Sequence, residues 1–153
     1  MSDLILFGFS FPTTLHYLVD EDTWARVDPD GTVVVGITPV GLALAGELYM
    51  CRVKSPGLQI EVQRGVAVVE LAKSVMAVRS PVGGTVIEAH EALQDTPGLI
   101  ARDPYGEGWL ARLQPASPEA LAADLARLVT GEAVQAAMQA RMLREPPGTF
   151  VGA

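Results

Sequence analysis

Turn signals recur through the middle of this chain at intervals too short for anything but brief strands. Asp28-Pro29-Asp30-Gly31, Lys54-Ser55-Pro56-Gly57, Gln63-Arg64-Gly65 and Ser80-Pro81-Val82-Gly83-Gly84 each combine residues that preset φ, reach left-handed backbone or bond their own main chain. Between them lie β-branched runs such as Thr32-Val33-Val34-Val35-Gly36-Ile37 and Val66 to Leu71. Short strands with closely spaced turns predict a mostly β fold, a sandwich or small barrel.

Leu15 to Val27 and Thr32 to Ile37 read as a hairpin about Asp28-Pro29-Asp30-Gly31. Thr38 supplies an N-cap and Pro39 the first helical position, so Val40 to Ala45 reads as a short helix closed by Gly46. Glu47 to Val53, Leu58 to Val62, Val66 to Leu71, Val75 to Val78 and Thr85 to Ala89 follow as strands. From Ser117 the period changes: Leu121, Leu125, Leu128 and Val129 share one helical face. Thr130-Gly131 interrupts, and a second helix runs from Glu132 to about Arg144 before Pro146-Pro147. The expected division is a barrel domain over residues 1–115 and a helical pair over 116–145 packed on it.

The chain of 153 residues carries a formal charge of −7, and no stretch concentrates lysine or arginine. Nucleic acid is disfavoured as a ligand, because phosphate binding requires local positive potential. No apolar run reaches the ~18 residues of a membrane span. Leu4 to Phe9 lacks a cationic leader pattern and reads as structure. The lone cysteine, Cys51, fits a reducing, cytoplasmic setting. With His16 and His90 lying 74 positions apart, a Cys/His zinc site lacks ligands. A Cys51–histidine nucleophilic pair is disfavoured, since a cysteine after Leu48-Tyr49-Met50 is ordinarily a small buried apolar residue.

One count is more pointed. Nine of the eleven basic residues are arginine, and only Lys54 and Lys73 are lysine. Genome composition could produce that bias; alternatively an amine, and not merely a charge, is needed. Lys73 falls in the link between two apolar runs, where a charged amine is held outward because burying it unpaired costs too much. Such a lysine is either a solvated turn residue or a site of modification.

Glu70, Lys73 and Ser80-Pro81-Val82-Gly83-Gly84 resemble the lipoyl-lysine region of the glycine cleavage system H protein family, with its glutamate three positions before the lysine and Ser-Pro-Val-x-Gly seven after. Val35-Gly36-Ile37-Thr38 with Gly46, Val86 to Leu93, Thr96-Pro97 and Asp103-Pro104-Tyr105-Gly106-Glu107-Gly108-Trp109-Leu110 extend the likeness over about residues 11 to 115. The last block is highly specific. The resemblance implies a barrel-sandwich hybrid of lipoyl/biotinyl type, with a short internal helix and a C-terminal helical pair. It implies lipoate in amide linkage to Lys73, with Glu70 helping the lipoyl-attaching enzyme recognise the site. It implies no catalysis by the protein itself, which would carry an aminomethyl group among glycine decarboxylase, aminomethyltransferase and dihydrolipoyl dehydrogenase as a cytoplasmic monomer. A lipoate ligase or lipoyl transferase would load it.

Biotin is disfavoured, since biotinyl lysines normally sit between methionines and Ala72 and Ser74 flank this one. The chain departs from the family at Ser74-Val75-Met76-Ala77-Val78-Arg79, where aspartate and tyrosine are usual, at His90 and Ala101 for asparagines, and at Thr23-Trp24 for Glu-Trp. The Gly65 to Glu70 spacing is two residues short. The cargo is therefore open. A lipoate-binding carrier serving a heterodisulfide-reductase-like sulfur-oxidation complex, and an unmodified partner-binding or regulatory barrel, are the alternatives. Arg79 and Glu88 are read as solvated strand residues before docking groups, Trp109 and Tyr105 as packing anchors, and His90 as a cap before the Glu91 turn.

Overall fold

The Asp28-Pro29-Asp30-Gly31 turn forms as its residues dictate. Gly31 N–H donates to the Asp28 carbonyl at 3.0 Å, and the Asp30 carboxylate accepts from Thr32 N–H at 3.0 Å and the Thr32 hydroxyl at 2.6 Å. The computed structural model describes residues 3–72 and 74–144. In chain order the elements are β1 (Asp3–Leu6), β2 (Phe9–Pro12), β3 (His16–Leu18), β4 (Thr23–Val27), β5 (Val33–Ile37), α1 (Pro39–Ala45), β6 (Leu48–Val53), β7 (Gln59–Ile60), β8 (Gly65–Leu71), β9 (Val75–Arg79), β10 (Gly84–Ala89), α2 (Ala92–Asp95), α3 (Gly98–Arg102), β11 (Ala111–Gln114), α4 (Pro118–Leu125) and α5 (Ala133–Arg144).

A six-stranded sheet in the order β3-β4-β5-β11-β10-β7 faces a three-stranded sheet, β6-β8-β9, while β1 and β2 form a separate hairpin. All these pairings are antiparallel. Residues 54–66 and 80–86 stitch the sheets together: Gly57 N–H reaches the Val86 carbonyl at 2.8 Å, and Gln63 N–H the Ser80 carbonyl at 2.8 Å.

The unbroken apolar run of β5 is explained by cover on both faces. Val33, Val35 and Ile37 enter the core between the two sheets with Cys51, Val66, Val69, Val78, Val86 and Leu113. Val34 points the other way, into a second core with Phe11, Tyr17, Trp24, Val40, Val134, Met138 and Met142. The last three come from α5, so the C-terminal helix supplies one wall of that core. Gly36 must be glycine: a Cβ there would lie 2.7 Å from the indole Nε1 of Trp24. Gly84 is equally confined, since its Cβ would approach the Gln114 carbonyl oxygen to 2.7 Å.

The structure corrects the sequence reading in four places. Leu15 to Val27 is not one strand: β3 and β4 are joined by a 3-10 turn at Val19–Glu21, with Asp22 at φ +59°. No glycine marks this reversal, because aspartate is among the few residues that enter left-handed backbone readily. Of Leu58 to Val62 only β7 is strand, although the Leu58 carbonyl also accepts from Val86 N–H of β10 at 2.9 Å. The helix expected to include Leu128 and Val129 ends at Leu125. Val129 instead exchanges two backbone bonds with Tyr17, at 2.8 and 3.0 Å. That bridge covers the exposed edge of β3, satisfying groups that another helical turn would leave bare. Finally, α2 and α3 were not read as helices, being four and five residues long and so shorter than two turns.

Candidate functional site beside the β8–β9 hairpin

In β8 and β9 the register runs Val68↔Ala77, Val69↔Met76 and Glu70↔Val75. Leu71 N–H then donates to the Ser74 carbonyl at 2.8 Å, closing the β8–β9 hairpin. Lys73 lies outside the described residues. Its neighbours Ala72 and Ser74 are exposed, as is Glu70 three positions earlier.

Next to this hairpin opens a cleft of about 550 Å³. Apolar groups of α1, β6, β8 and β9 line most of it, among them Leu42, Leu48, Leu71 and Val78, and it reaches Ala72 and Ser74. The polar wall is Glu21, Asp22, Thr23 and Arg141. Asp22 and Arg141 form a bidentate ion pair, Nε to Oδ1 at 3.1 Å and Nη2 to Oδ2 at 2.9 Å. Arg141 is only 9% exposed. Burial pushes the Asp22 carboxyl above its ordinary value, and the hydrogen bond from Arg141 draws it back in part. Glu21 faces Arg79 at 3.7 Å. Thr23 is 1% exposed and its hydroxyl has no hydrogen-bond partner.

The other residues singled out from the sequence fall elsewhere. Cys51 is buried on β6 and burial pushes its thiol up to about 11, so at neutral pH it is a packed thiol and not a nucleophile. His90 does not cap the following turn with its side chain. Its ring stacks on Trp109 with centroids 4.4 Å apart and planes within 5°, and its Nδ1 lies 2.7 Å from the Trp109 carbonyl. Tyr105 packs on Trp24 at 5.8 Å and donates its hydroxyl to the Ser10 carbonyl at 2.7 Å. The Asp103 to Trp109 block is thus a clasp tying the sheet to the β1–β2 hairpin. Arg79 and Glu88 are exposed strand residues, paired with Glu21 and Arg112.

Asp22 and Arg141 were not anticipated. They are 119 positions apart, and no local pattern joins them. The one available signal was Thr23, which departs from the family pattern.

Two antiparallel sheets closed on a shared core, with a tight hairpin projecting beside an apolar cleft, define a barrel-sandwich hybrid of the lipoyl/biotinyl type. The family model described as glycine cleavage H-protein matches residues 15–141, which takes in α4 and most of α5. A glycine cleavage system H protein 2 from Aquifex aeolicus is 43% identical over 125 residues, covering 82% of this chain and 76% of the relative. A glycine cleavage system H protein from Alkalilimnicola ehrlichii is 38% identical over 112 residues, 73% of this chain and 83% of the relative. The crystal structure of a glycine cleavage system H protein from Mycobacterium marinum superposes with a TM-score of 0.69 at 28% identity, covering 88% of this chain and 98% of that one. The chain belongs to the glycine cleavage H-protein family.

Proposed function

We propose that this chain is a non-catalytic lipoyl carrier of the glycine cleavage system, with lipoate in amide linkage to Lys73 at the β8–β9 hairpin. The observation that carries the reading is the hairpin itself, closed by the Leu71–Ser74 bond beside a largely apolar cleft that Ala72 and Ser74 help to line. An apolar tether fits that lining, which offers it Leu48, Leu71 and Val78 and few polar groups to desolvate. Once attached, lipoate supplies a dithiolane that accepts an aminomethyl group from the decarboxylating partner and yields it to the aminomethyltransferase, with reoxidation by dihydrolipoyl dehydrogenase.

The residues of this chain do the positioning. The β8–β9 ladder runs up to Glu70↔Val75 and the Leu71–Ser74 bond, so the chain on either side of the attachment position is tied to a sheet. Glu70 stands exposed on the same strand, within reach of a lipoate ligase or lipoyl transferase, as a recognition group for that enzyme. The cleft excludes water along its apolar lining when the arm lies in it. The working location is the cytoplasm, and among the described residues no helix is long and apolar enough to cross a membrane.

Intact-mass analysis after co-expression with a lipoate ligase and lipoate tests this reading. The expected result is one lipoyl mass addition, lost in Lys73→Arg and slowed in Glu70→Ala. No addition, or one that survives Lys73→Arg, overturns it.

A further inference from the structure

The match to the family model begins at residue 15, so the β1–β2 hairpin stands outside the part of the chain that the family model describes. Phe7 and Gly8 turn it, at φ +50° and +85°, a two-residue reversal closed by Leu6 opposite Phe9. In such a hairpin the closing pair exchanges main-chain bonds and the pattern alternates from there. Leu6, opposite Phe9, and Leu4, opposite Phe11, therefore spend their N–H and C=O groups on β2, while Ile5 aims both of its own away from it. Among the described residues β1 has no other neighbouring strand. The side chains follow the same alternation: Leu4 and Leu6 pack on the second core, whereas Ile5 is 68% exposed and Phe7, at the tip, 56%. Such a turn favours asparagine or glycine, and a bulky aromatic in left-handed backbone is strained there. Edge strands are ordinarily blunted by lysine, proline or a bulge, and Asp3-Leu4-Ile5-Leu6 has none of these. We propose that this edge is a homodimer interface, at which β1 pairs antiparallel with β1 of a second copy about a two-fold axis at Ile5.

The edge is complementary to itself in one register. A two-fold axis at Ile5 sets the free N–H of each Ile5 against the free carbonyl of the partner's Ile5, as an isologous contact requires. Centring on Leu4 or Leu6 would bring up groups already used by β2. Centring on Asp3 would set two carboxylates directly opposite, which is destabilising; the Ile5 register places each Asp3 opposite the partner's Phe7 instead. Two two-stranded hairpins become one sheet of more than three strands, which holds together better than a lone hairpin, and Ile5 and Phe7 gain apolar cover. A contact between strands of four residues is small, so the dimer belongs to the weak class that dissociates on dilution. Each copy carries a formal charge of −7, and salt, by screening that repulsion, tightens the pair. No residue of β8 or β9 takes part, so the proposal is independent of lipoate at Lys73. It replaces the monomer that the family resemblance implies.

Sedimentation velocity on the full chain tests it. From low to high micromolar concentration the average mass should rise from one chain toward two, and rise further with added salt. Ile5→Lys and Ile5→Glu alter an exposed side chain and leave the core intact; each alone should remain monomeric, since the axis sets like charges face to face. Mixed in equal amounts they should recover the dimer, because the same axis then pairs opposite charges. Phe7→Asn should raise the melting temperature while weakening association several-fold. In the unsubstituted protein the Ile5 amide should exchange with solvent several-fold more slowly at high concentration than at low. A monomer at every concentration overturns the inference and leaves the edge to a strand of another protein. It is overturned as well by a dimer that both single charge variants retain, by a mixture of the two that stays monomeric, by association unchanged in Phe7→Asn, or by a dimer that salt dissolves.

Discussion

Replacing Gly36 by alanine places one methyl group against the fully buried ring of Trp24. Gly36 stands opposite Trp24 in the β4–β5 register, and the added Cβ would meet Cζ2 as well as Cε2 at 2.5 Å and Nε1 at 2.7 Å. Carbon contacts are optimal at about 3.5–4.0 Å, so the overlap is on the order of 1 Å with three atoms of one rigid system. The ring cannot step aside, being fully buried with Tyr105 against it. Overpacking typically costs ~1–3 kcal/mol, and a ring without flexible ends puts this case near about 3 kcal/mol. For a domain of this size each kcal/mol shifts Tm by ~2–4 °C, so Gly36→Ala should melt roughly 6–12 °C lower. The assay is thermal unfolding followed by tryptophan fluorescence, with urea unfolding as a second measure. In a Trp24→Phe background, which lacks the clashing atoms, the same substitution should cost less than about 1 kcal/mol, a coupling expected of residues in contact. A Gly36→Ala protein melting within ~2 °C of wild type would refute the steric argument.

Met138→Ala removes a fully enclosed side chain that α5 contributes to the second core and should cost about 2–5 kcal/mol in urea unfolding; a loss below ~1 kcal/mol would mean that α5 is not needed to close it. Cys51 should resist iodoacetamide at pH 8 in the folded state and react promptly in denaturant, because its thiol is buried and pushed up to about 11; fast stoichiometric labelling of native protein would contradict this. Asp28 is held below its ordinary value of 3.8 by the hydrogen bond from Arg26, with Arg112 adding to it. A carboxyl lowered on folding stabilises the fold above its unfolded value and loses that contribution as pH falls through the folded one. Asp28→Asn should therefore be less stable than wild type near neutrality, and the gap should close as pH falls below 3.8; a gap that stays constant with pH refutes it.

Much of the fold was legible because local chemistry dictated it. The Asp28–Gly31 turn, Thr38 capping α1 through Gly41 N–H at 3.4 Å, and Ser117 capping α4 through Ala120 N–H at 3.0 Å involve residues within a few positions of one another. Where distant partners decide, the sequence was silent or misleading. Val129 satisfied a helical period but was claimed by the edge of β3, and α2 and α3 are too brief to show a period. The Lys73 hairpin and the family block stood out as motifs. The cleft did not, because its walls come from residues 21–23, 37–48, 69–78 and 141, which meet only after both sheets and α5 are in place.

The Leu71–Ser74 clasp has a consequence for traffic between enzymes. A hinge that flexed would let a tethered group wander over a wide volume, at the expense of arriving anywhere in a set direction. On the proposed reading, a tether attached beside this bond sweeps a shell around one hub, so visiting enzymes must bring their reaction chambers to that hub. Successive visitors are then obliged to compete for the same few square nanometres of landing ground, taking turns in place of assembling side by side.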